Sequence, residues 1–122
     1  GSENDSILKE FDKIKQRYIV KNLEYIEQRL KSGKKNNDSL EMDLNRKQRS
    51  LISSKYFTTI NFALNNKDYE VAPYLVLSEA YNTNIKYLDT VYNALAPKIK
   101  DSKYGKELES FIVMRKKSDT IL

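Results

Sequence analysis

Two carboxylates flank or interrupt the least polar stretch of this chain. Residues 71–81 read Val-Ala-Pro-Tyr-Leu-Val-Leu-Ser-Glu-Ala-Tyr, with Glu70 just before them and Glu79 inside. A carboxyl enclosed by apolar side chains has its pKa raised, which is what general acid or base work at neutral pH requires. Isolated acids at helix ends or seams are nevertheless usually solvated. There is no cysteine and no histidine, so thiol nucleophiles, Cys/His zinc sites, imidazole bases and Ser-His-Asp arrangements are excluded. Carboxylate, lysine and tyrosine chemistry remains, and the sequence assigns no catalytic, cofactor-binding or metal-ligating residue.

The candidates for contact are tyrosines and lysines. Tyr74 and Tyr81 stand seven residues apart, a spacing that shares a helix face, and such a pair can line a groove for a glycan or peptide. In a chain with 9 Tyr and no Trp, the plainer reading is a core pair with hydroxyls reaching the edge. Lys34 and Lys35 lie in the turn Ser32-Gly33-Lys34-Lys35-Asn36-Asn37, where they could meet an acidic partner or simply be hydrated.

Elements must hold these residues in place, and their pattern is helical throughout. Ile7, Phe11, Ile14 and Tyr18 recur at spacings of 4, 3 and 4; Ile19, Leu23, Ile26 and Leu30 repeat the series after one phase slip. A helix over residues 5–31 follows, with Asn4 or Asp5 as its cap. Its stripe suits packing inside one domain better than a coiled-coil dimer seam. Gly33 ends it, and Asp38 with Glu41 opens a second long helix to about Leu64 in the manner of a capping box. Two matched helices joined by a short turn pack as an antiparallel hairpin. Residues 71–81, apolar nearly all round, predict a buried central helix with Leu75 and Leu77 covered. Pro73 lies in its first turn, and the onset falls near Glu70. Ile85, Leu88, Tyr92, Leu95 and Ile99 predict a fourth helix capped by Asn84 and running at least to Ala96, where Pro97 stops it. Ser102 caps a fifth, carrying Tyr104, Leu108, Phe111 and Ile112. Gly105 in its first turn suggests close approach to a neighbour. The expected fold is all-α: a bundle of about five helices, a long antiparallel hairpin plus three shorter ones.

At 122 residues the chain is one domain in size. Gly1-Ser2 read as a cloning scar, residues 3–117 as a single helical domain, and residues 118–122 as a charged tail that frays toward a downstream domain. The net charge of +5 is spread unevenly: residues 34–67 hold seven basic and three acidic groups, residues 68–97 one and four. Acids alternate with bases at most polar positions, so this is a solvated surface, not the gathered basic face of a nucleic-acid binder.

One resemblance narrows the function. Residues 69–92, then Leu95-Ala96-Pro97-Lys98-Ile99 and Asp101-Ser102-Lys103-Tyr104-Gly105-Lys106-Glu107-Leu108, resemble the helical segment of bacterial envelope proteins of the TlpA/ResA-like thiol-disulfide class. In the Bacteroidetes forms, that segment lies between a small N-terminal β-domain of unknown function and a thioredoxin-fold domain. The matching pattern is Leu95, Ala96, Pro97, Ser102, Tyr104, Gly105 and Leu108; it covers residues 65–117 well and the first two helices in general character only. The resemblance implies a periplasmic or cell-envelope location, with any membrane attachment through an anchor outside residues 1–122. It implies the flanking thioredoxin-like domain or its client protein as partner, and no nucleic acid. No Cys-x-x-Cys is present, so the family's redox role falls on no residue of this chain. The expected function is a non-catalytic spacer or partner-binding module without a cofactor, the alternative a free-standing basic helical domain that binds nucleic acid or an acidic protein.

Overall fold

Helical periodicity governs the whole of the computed structural model, which describes residues 2–32 and 38–121. Its helices are α1 (Ser2–Ser32), α2 (Asp38–Asn65), α3 (Val71–Glu79), α4 (Ile85–Ala94), α5 (Pro97–Lys100) and α6 (Lys103–Ile121), with no strand among the described residues. The fold is all-α, as expected. The turn bearing Lys34 and Lys35 lies outside the described residues.

α1 and α2 run antiparallel, because their cross-contacts pair rising numbers with falling ones. Phe11 meets Phe62 edge-on at 5.3 Å between ring centroids. The Tyr18 hydroxyl bonds Ser54 at 3.0 Å and Thr58 at 2.8 Å, Gln48 donates to Asn22 at 3.1 Å, and Arg29 donates to Gln48, Asn45 and Glu41. The core lies at the open end of this hairpin. Ile60 and Ala63 of α2 pack there with Ala72, Val76 and Ala80 at α3, Leu88 and Val91 of α4, and Leu108 and Ile112 of α6. Phe11, Val71 and Leu75 form a smaller cluster beside it. The closed end projects as a two-helix arm: from Ile19 to Ser32, α1 extends about 20 Å at 1.5 Å per residue. Leu44 is the one fully covered apolar residue on it among the described residues.

Several local expectations change. The fourth helix stops at Ala94, not Ala96: Leu95 and Ala96 take extended backbone, ψ 141° and 147°, and Ala96, directly before proline, is the one driven from helical ψ by it. Pro97 then opens the extra turn α5 instead of only ending α4. Asn4 lies inside α1 and does not cap it; its Oδ1 accepts the Val71 backbone N–H at 3.1 Å, satisfying a free amide at the start of α3. Leu75 is buried, but Leu77 only partly so. α6 continues through residues 115–120. The Asn84 cap forms, accepting from Lys86 N–H at 3.0 Å, and the Ser102 hydroxyl accepts from Gly105 N–H at 3.2 Å. Gly105 approaches its neighbour closely: a Cβ there would lie 1.9 Å from the Ile99 carbonyl oxygen.

Candidate functional site

Glu79 ends α3 in the groove between the two hairpin helices, and its carboxylate is claimed from both sides. Lys15 Nζ of α1 lies 2.8 Å from one oxygen and Lys55 Nζ of α2 lies 2.9 Å from the other, with the Glu79 side chain 14% exposed. Burial by itself would push the Glu79 carboxyl up; the hydrogen bonds from Lys15 and Lys55 outweigh it and hold the group below its ordinary value. The same bond holds Lys15 above its ordinary value. A general acid needs the opposite displacement, so this ionised clamp is suited to fixing α3 in the hairpin, not to exchanging protons near neutral pH. Glu70, the other candidate carboxylate, receives the Tyr104 backbone N–H at 3.5 Å. It joins the start of α3 to the first turn of α6.

The two tyrosines do not form one surface. α3 ends at Glu79, and Ala80 leaves helical geometry at φ −138°, ψ 23°, so the seven-residue spacing no longer sets Tyr74 and Tyr81 on one helix face. Tyr74 packs edge-on against Tyr104 at 5.1 Å. It lines an open depression of about 300 Å³ with Asn4, Leu8, Glu70 and Val71. Tyr81 is exposed in the following turn, where its carbonyl, with that of Thr83, accepts from the Arg115 guanidinium at 2.9 and 3.0 Å. On the far side of α4 the Tyr92 hydroxyl donates to Glu109, which with burial pushes the phenol up to about 12. Among the described residues no group of three or more acidic side chains is placed to hold a metal ion.

The surface that stands out is one the sequence reading placed inside. Up to Tyr18, α1 turns its apolar row to α2, as expected. Beyond the slip, Asn22 and Arg29 continue from Tyr18 along the side facing α2, all three joined to it by hydrogen bonds. The second apolar row points to solvent: Ile19 is 39% exposed, Leu23 57%, Ile26 39% and Leu30 73%. The slip of one position rotates the row by about 100°, the angle per residue of a 3.6-residue turn, and so takes it off the hairpin seam. Ile52 of α2, also exposed, borders the same side, since Ile19 and Ile52 line one groove with Lys15, Asn22 and Lys55. The groove that α3 fills near the core thus continues along the arm beyond the Glu79 clamp. Sequence offered a signal for the row in the slip itself; for the clamp, whose members are distant in sequence, it offered none. No helix among the described residues is long and apolar enough to cross a membrane. Compared with family models, with curated proteins and with solved structures, the chain matches none.

Proposed function

We infer that this chain is a non-catalytic helical interaction module that presents its α1–α2 arm to another protein surface. The outward row Ile19, Leu23, Ile26 and Leu30 carries the reading: four apolar side chains at heptad spacing on a projecting helix expose the kind of face that an amphipathic helix normally buries. Following the resemblance of Leu95-Ala96-Pro97 and Ser102-x-Tyr104-Gly105, the module serves within a larger cell-envelope thiol-disulfide protein, where it positions a thioredoxin-fold domain or holds its client. The structure gives those motif residues local work as well, in the break between α4 and α5 and in the Ser102 cap with its close-packed glycine.

Two experiments separate the parts of this reading. The gene sequence beyond residue 122 is expected to encode a thioredoxin fold with Cys-x-x-Cys; a gene without one removes the envelope assignment. In the natural full-length protein, replacing Leu23 and Ile26 with serine should weaken client turnover or partner capture while circular dichroism stays unchanged. Undiminished turnover and capture would remove the interaction role.

A further inference from the structure

We draw no further inference here: the strongest candidate, the open depression where Asp5 and Glu70 lie beside the Tyr74 and Tyr104 rings, carries nothing, because both carboxylates stand at helix starts whose free amides account for them and nothing else there points to a ligand.

Discussion

Glu79 shows how a single side chain can look reactive in sequence and be structural in space. Its carboxyl is held below the ordinary value, so the native state gives up that proton more readily than the unfolded chain. The stability from the clamp is therefore complete above the ordinary glutamate range and is lost as pH falls below it, through the depressed native value. Glu79→Gln should cost about 1–2 kcal/mol at neutral pH, between an exposed pair and a hydrogen-bonded buried one. Urea midpoints of the two proteins should converge as the pH falls below the depressed native value, and a constant gap from neutral pH down through the ordinary glutamate range would show that the charge is immaterial. Gly105 is a second case. Alanine would gain about 1 kcal/mol of helix propensity, but its Cβ would sit 1.9 Å from a backbone oxygen of α5. Relieving that contact requires moving main chain, at about 1–3 kcal/mol or more. Gly105→Ala should therefore lower the thermal midpoint; a rise would mean that α5 yields without cost.

Between elements, what was legible followed from local rules. The four longer spans, the caps at Asn84 and Ser102 and the glycine's close approach are each set by residues within a few positions of one another. What was not legible needed tertiary information. The direction of the second α1 row depended on which face α2 covers, and the row's apolar character alone suggested burial. Asn4 could be read as a cap, but its use at α3, 67 positions away, left no trace in the pattern. The run 71–81, apolar nearly all round, predicts Leu77 covered, whereas its side chain is only partly buried. This divides two otherwise similar truncations. Leu75→Ala, at a fully buried position, should cost on the order of 2–5 kcal/mol. Leu77→Ala, at a partly buried position, should cost less than that, since less apolar area leaves water. Equal losses in chemical denaturation would show that α3 is more deeply seated than its exposure indicates.

For the molecule as a whole, the separation of a core end from a projecting arm matters more than the net charge. The inner half of the arm is basic, but Glu24, Asp43 and Glu79 lie within ion-pair distance of five of its cations. Binding to a random DNA duplex in about 0.15 M salt should stay in the ~10⁻⁴ to 10⁻⁶ M range of non-specific contacts. Tighter binding that persists at higher salt would favour a nucleic-acid role. The arm's polar inner seam has a different consequence. A hydrogen bond between exposed partners adds little net stability, and the arm has little covered apolar surface to resist separation of its helices. The chain should therefore open in two tiers, its backbone amides at 19–32 and 38–54 exchanging with deuterated solvent well before those around Leu88, Val91 and Leu108.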